Sequence, residues 1–548
     1  MIKLEGGRLV ILLLLCSFVM AIVSVVSMNV YRTSFLFENS VSVTVILAIL
    51  LTMLIAGIIK ILFNILAIVD KKICIVGIDT FPKNFNNLQR VFWMSFMVIL
   101  IAWIPYMVAY YPGTSFGDTS TQIEMFLNYI QGKTLLQDHH PVFDTILFGG
   151  FIWMGQKFFC SSNIGCFLFI VIQCVMTAAA FSYSCVFLKR KGIRNLYCFI
   201  AVLFYALYPP IPQYAITMLK DSLYSWIYVF WFILFLEIFS ENENKIPLKK
   251  KSLFFVLALF CSLTKKTGAY LLLFTAIILF FFCRKKWKII LTTFIIPALM
   301  TIVLIPTILF PLISCVPGGK QEILGILFQQ TAKYVVDHGE EVTKEEREAI
   351  DVILGYDTLA NRYALSVQDP VKFQNPLYTE FGIQKIDKKE FERYLKTWVN
   401  QGLKHPSTYI EATLGTCLGY FIPVNAFEIF PDAGSGLSKQ IIYQPEQLST
   451  IHYYFLEAYN RLSNTAIISL VVQVVIFSFW IPCLVIYRLL QNNREKLILM
   501  IPVAGSILLC ILCPCTIGRY VMHLLYTAPL IIGIVFYKMG LKEKKVGK

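Results

Sequence analysis

The sequence predicts an all-α polytopic membrane protein, and three observations predict it. Apolar residues make up 57% of the 548 positions and charged residues only 15%, where a soluble domain carries about a quarter charged. The apolar residues fall into about 12 runs that reach or approach the roughly 20 residues needed to cross a bilayer. Lys and Arg then alternate between the connections, as the positive-inside rule requires of a multi-pass chain. A soluble enzyme of several compact domains is excluded.

The runs, in order, are 9–28, 41–59, 91–110, 165–188, 196–211, 223–240, 252–264, 268–283, 289–313, 464–487, 497–513 and 521–537. The first is too long, and lacks the cleavage site, for a removable signal peptide. Runs 252–264 and 268–283 are short; fusing them would bury Lys265 and Lys266 in hydrocarbon, at about 2.5 to 3.5 kcal/mol each. Segment 142–159 is apolar but holds Asp144, Gly149, Gly150, Gln156 and Lys157. Counting it as a span would put Lys189, Arg190, Lys191 and Arg194 outside, so it is read as an amphipathic juxtamembrane helix in the outer interface. With both termini in the cytoplasm, inner connections carry 27 Lys and Arg and short outer ones 7. The net charge of +15 is therefore mainly a topology signal, and nucleic acid is not an expected partner.

Residues 314–463 differ, with 14 Lys and Arg against 19 Asp and Glu, and read as a small, mostly helical extracytoplasmic domain. Helices are expected at 321–338 and 387–404, and Thr343 with Glu346 forms a capping box for another through Ile353. The chain thus divides into an N-terminal helix pair (1–90), a transmembrane core (91–313) with an outer loop (111–141) and the juxtamembrane helix (142–159), the outer domain (314–463), and a C-terminal three-helix region with tail (464–548). Most of the 15 Cys lie within spans as small apolar residues. Cys510, Cys513 and Cys515 lack a second pair or a His at metal spacing, so packing is their expected role.

Few cations defy the charge rule. Lys220 precedes one helix, Lys265 and Lys266 separate two, and Arg519 precedes the last. Each is expensive at an outer boundary unless a partner holds it, and phosphate suits both a Lys point charge and an Arg fork. On the same face, Pro112-Gly113 and Gly117 lead to Asp118, followed by Gln122 and by Asp138-His139-His140-Pro141. A carboxylate facing an anionic lipid headgroup suggests group transfer: Asp118 as general base deprotonates an acceptor hydroxyl, which attacks an anomeric carbon while the cations hold the departing phosphate. The alternatives for these residues are a solvated loop for 111–141, lipid headgroups for the cations, and a plain ion pair for Asp221 beside Lys220.

Pro112-Gly113, Asp118, Gln122, His140-Pro141, Lys220-Asp221 and Gln329-Gln330-Thr331-Ala332-Lys333 together resemble an uncharacterised family of bacterial polytopic membrane proteins, behind which stands the GT-C superfamily of membrane glycosyltransferases. That resemblance implies a GT-C fold, a polyprenyl-phosphate-linked sugar as donor, a cell-envelope acceptor, and Asp118 as the matching catalytic acid. It implies donor phosphate at Lys220, Lys265, Lys266 and Arg519, with Gln122, Asp138, His139, His140 and Asp221 positioning loop and substrate. Many relatives carry paired acids where Asp118 is followed by Thr119. A divalent metal on Asp138, His139 and His140 is the alternative, but adjacent His chelate poorly from one segment, so a metal-free site is expected. The rival functions are a transporter or lipid flippase, whose ionisable groups would sit mid-span, and a catalytically inactive scaffold.

Overall fold

The computed structural model describes residues 6–37, 40–75, 85–240, 246–319, 321–373, 387–423 and 441–536. Helices occupy each predicted apolar run over most of its length: α1 (Gly6–Thr33), α2 (Val41–Ile75), α3 (Phe85–Ala109), then α4 (Gly117–Ile130), α5 (Val142–Phe159), α6 (Ser162–Arg190), α7 (Asn195–Leu207), α8 (Pro210–Ala215), α9 (Lys220–Ser240), α10 (Leu248–Thr264), α11 (Lys266–Phe282) and α12 (Arg284–Leu312). Six of them, α1, α2, α3, α6, α9 and α12, are long and apolar enough to cross a membrane. The architecture is that of an all-α membrane protein.

Three departures from expectation have local causes. The run 196–211 ends as a helix at Leu207, because Pro209 and Pro210 force a new start. In α12 the backbone widens into π turns at Leu291–Ile295 and Met300–Leu309, beside Pro297 and Pro306, which cannot supply the next helical N–H. Within the outer loop 111–141, residues 117–130 form the helix α4, with Thr119, Ser120 and Gln122 buried, while 130–135 are exposed, so a solvated loop describes only the second part.

The central helix is α9, whose apolar window is 89% buried, against 17 to 22% for α1 to α3. Between its charged ends it is apolar all round, as an enclosed helix must be. Trp231 stacks on Phe254, and Phe235 meets Phe294 edge-on. The outward faces of α1 to α3, with Leu50, Trp93 and Ile101 exposed, are suited to lipid.

The charges sort to two ends of the bundle. At one end Glu237 is held by Arg190 and Lys250, and Lys496 donates to the carbonyl of Ile534. At the other lie Asp118, Asp138, Lys220, Lys266 and Arg519. Residues placed on one side by the charge pattern therefore contact one another. Helix α5 begins at the second end and does not leave it. The turn after it brings Asn163 to the carbonyl of Tyr443, whose neighbour Gln444 donates to Ala109 at the end of α3. It crosses α6 backbone to backbone: a Cβ on Gly165 would lie 2.3 Å from the Phe151 oxygen, and one on Gly155 2.5 Å from Gly165. Gly165→Ala should therefore cost about 1 to 3 kcal/mol by forcing the helices apart, read as a lower thermal midpoint in detergent.

Beyond α12 the chain forms α13 (Gln321–His338), α14 (Lys344–Leu354), α15 (Tyr356–Arg362), α16 (Asp369–Phe373), α17 (Lys388–Lys404) and α18 (Pro406–Cys417). The Thr343 and Glu346 capping box is present on α14. Phe328, Val335, Ile350, Ile353, Val371 and Tyr394 give this segment its own core. The Gln329 to Lys333 motif is its internal glue: Gln329 donates to the Ala364 carbonyl, Gln330 to Thr413, and Thr331 meets the Tyr394 hydroxyl. Lys333, 1% exposed, pairs with Asp337 and Glu411. Glu411 also accepts from the Leu36 amide, and Val30 and Leu36 pack on Leu418 and Ile422. The first helix pair is thus docked onto this segment. The chain closes with α19 (Ser449–Asn464), α20 (Ala466–Val471), α21 (Ile476–Asn492), α22 (Ile501–Ile511) and α23 (Met522–Gly533).

Candidate functional site

Two two-residue strands build the site. β1 (Thr114–Ser115) runs parallel to β3 (Thr217–Met218), with Thr114 opposite Thr217 and their hydroxyls 2.7 Å apart. Each strand turns directly into a helix, β1 into α4 and β3 into α9. The Thr119 hydroxyl donates to the Met218 carbonyl, tying the two helix starts together, so Asp118 and Lys220 emerge side by side. The turn into β1 needs glycine: Gly113 has φ +132, and a Cβ there would lie 2.5 Å from Ile170. A second parallel pair joins β2 (Gln137–Asp138) to β4 (Val316–Pro317).

Asp118 Oδ2 accepts from Lys220 Nζ at 2.9 Å and from Arg519 Nη1 at 3.0 Å. Arg519, 7% exposed, lies over the Phe116 ring at 4.3 Å and the Tyr520 ring at 5.3 Å. Burial pushes the Asp118 carboxyl up, but Lys220 and Arg519 more than reverse this and hold it far below the usual carboxylate range. The Lys220 ammonium also reaches His140 Nδ1 at 3.0 Å. That ring nitrogen must then be unprotonated, in accord with a pKa lowered to about 2 by burial and then by Lys220. The folded protein keeps His140 neutral, while an unfolded chain binds its proton below about pH 6.5. Stability attached to His140 is therefore complete above that pH and falls as the solution is acidified. His140→Gln should flatten the decline in thermal stability between about pH 6.5 and 5.

The remaining cations are paired as well. Lys265 bridges to the buried Asp221 at 2.6 Å and lies over the rings of Tyr224 and Tyr520. Lys266 bridges to Asp138 at 2.9 Å and also donates to the Asp138 carbonyl. It is half exposed, so this link is weak. His139 rests edge-on against His140 and near Glu322. Gln122 is fully buried and donates to Thr145; its contact fastens α4 to α5 rather than facing the charges. A cavity of about 20 Å³ beside Lys265, lined by Tyr224, Ser506, Cys510, Tyr520 and His523, has room for one water. Cys510, Cys513 and Cys515 carry free thiols.

The sequence reading left Asp144 out of the site. It lies in the first turn of α5, fully buried, with neither carboxyl oxygen hydrogen-bonded. Burial pushes its carboxyl well up; Lys220 opposes this and Asp221 reinforces it. Its signal was an acid in an otherwise apolar run, which is costly unless used. The Asp118 and Asp144 carboxyls are thus pushed in opposite directions, although Lys220 acts to lower both.

Neither a curated protein nor a solved structure matches the chain. A family of unknown function, DUF6020, matches residues 129–545, a region that begins within α4 after Asp118 and includes His140, Lys220, Lys265, Lys266 and Arg519. Matched over well more than half its length, the chain belongs to the DUF6020 family.

Proposed function

We propose that the protein is a membrane glycosyltransferase of GT-C type, moving a sugar from a polyprenyl-phosphate donor to a cell-envelope acceptor at the outer face, with about 12 spans and both termini cytoplasmic. The observation that carries this reading is the convergence of Asp118, His140, Lys220 and Arg519 from four distant segments at one end of an apolar bundle. Around Asp118 itself two cations, Lys220 and Arg519, face one carboxylate. The site therefore retains positive charge for an anion.

The pairing also suggests how the base is controlled. Clamped by Lys220 and Arg519, Asp118 is a poor proton acceptor. A donor phosphate arriving between them takes over their hydrogen bonds, and the freed carboxylate regains basicity. It then removes the proton of the acceptor hydroxyl. The hydroxyl oxygen bonds the anomeric carbon, the bond from that carbon to the phosphate oxygen breaks, and polyprenyl phosphate leaves on Arg519 and Lys220. Without donor, Asp118 stays quenched, which limits activation of water. A metal-free mechanism fits His140, whose Nδ1 faces an ammonium that would repel a cation. The ionisable groups gather at a bundle end, which favours surface chemistry over transport.

Arg519→Ala should weaken binding of a short polyprenyl phosphate by about 10 to 100-fold, the worth of a charge-assisted hydrogen bond or two, measured by native mass spectrometry. Unchanged affinity would remove Arg519 from the donor site.

A further inference from the structure

A second cluster lies in the helical segment after α12, apart from the residues of the proposed transfer site. His338 ends α13, and the single 3-10 turn Gly339–Glu341 brings Glu341 round to the same side. His405 caps the junction between α17 and α18, where Pro406 starts a new helix. One donor atom from each of His338, Glu341 and His405 lies within 4.8 Å of the others. His338 Nδ1 is 3.4 Å from Glu341 Oε1, and His405 Nε2 is 3.1 Å from Glu341 Oε2. The imidazoles stack at 3.7 Å, and Tyr334 packs against both.

From this we infer that His338, Glu341 and His405 form a binding site for a divalent transition-metal ion of the zinc class. Two imidazole nitrogens and one carboxylate are a borderline donor set, suited to Zn²⁺ and not to Mg²⁺ or Ca²⁺, which want oxygen. An independent feature supports it: the far nitrogen of His338, Nε2, is 3.1 Å from the Thr408 hydroxyl. Such an outer hydrogen bond fixes a ligating ring and its tautomer. The site opens to solvent, because Glu341 is exposed, leaving a fourth position for water. Bonds of about 2.0 to 2.1 Å place tetrahedral donors roughly 3.3 Å apart, close to the separations of 3.4 and 3.1 Å between the imidazoles and Glu341, so loading mainly tilts the stacked rings to aim their lone pairs. Lys404 Nζ now holds Glu341 Oε2 at 2.6 Å, and the ion displaces it. The metal would staple the end of α13 to the start of α18.

The test uses the full chain in detergent, without a polyhistidine tag, stripped by a chelator and titrated with Zn²⁺. One Zn²⁺ per chain is expected at this site, Mg²⁺ should not compete, and the double variant His338→Gln, His405→Gln should lose at least about 100-fold in affinity. Lys404→Ala keeps all three ligands and removes the competing ammonium, so it should bind Zn²⁺ at least about tenfold more tightly. No Zn²⁺ uptake, or uptake unchanged in both the double variant and Lys404→Ala, would overturn the site. Because Lys404→Ala must gain affinity, a double variant that fails to fold still leaves a decisive measurement.

Discussion

Asp118→Asn is expected to lower sugar transfer by about 10² to 10⁴-fold, the range of a lost general base, and to tighten the binding of polyprenyl phosphate. Both effects follow from one geometry. The amide cannot take the acceptor proton, yet it no longer competes as an anion for Lys220 and Arg519. A merely structural Asp118 would behave differently: the buried Arg519 and the half-buried Lys220, left without a counter-charge, would destabilise the fold by up to about 3 to 5 kcal/mol, and activity and binding would fall together. Transfer rate, phosphate affinity and thermal midpoint measured on the same preparation separate these cases. Retained transfer would dismiss Asp118 as the base.

Lys333→Ala is expected to be the most destabilising single change in the helical segment after α12, at about 3 to 5 kcal/mol. Lys333 is the ammonium between Asp337 at 2.9 Å and Glu411 at 3.5 Å, and it also lies over the Phe35 ring at 4.8 Å. Its removal leaves two carboxylates facing each other with little water. The same Glu411 holds the Leu36 amide, so the loss should spread to the docking of α1 and α2. Thermal unfolding should show the drop, and adding Asp337→Asn and Glu411→Gln should recover part of it by removing the stranded charges. No recovery would mean that Lys333 acts through packing alone.

Much of the helical framework was legible, because apolar runs and helix caps are local signals. The Thr343 and Glu346 cap and the helix ends near His338 and Lys404 were readable from neighbouring residues. The cation pattern also sorted Lys220, Lys265, Lys266 and Arg519 to the end where they are found. What was not legible depends on long-range placement. Pairing of Thr114 with Thr217 sets Asp118 beside Lys220, yet two-residue strands leave no periodicity to detect. The partner choice within the cluster, Asp221 for Lys265 and Asp138 for Lys266, has no local mark either. Gln122 resembled a site residue by proximity in sequence, but the direction of its side chain joins it to Thr145. Asp144 was visible as an anomaly and was assigned to helix amphipathicity; only the packing of α5 shows that it is completely buried. The Gln329 to Lys333 motif shows the converse: a distinctive run of polar residues whose role is to hold helices together.

Sugar transfer is tested by following a polyprenyl-phosphate sugar carrying label in both sugar and lipid, in vesicles containing the protein and an envelope extract as acceptor. Sugar label should pass to the acceptor while equal amounts of polyprenyl phosphate appear, and Asp118→Asn should stop both. Intact donor moving between leaflets with its two labels still joined would contradict sugar transfer and show a lipid transporter instead.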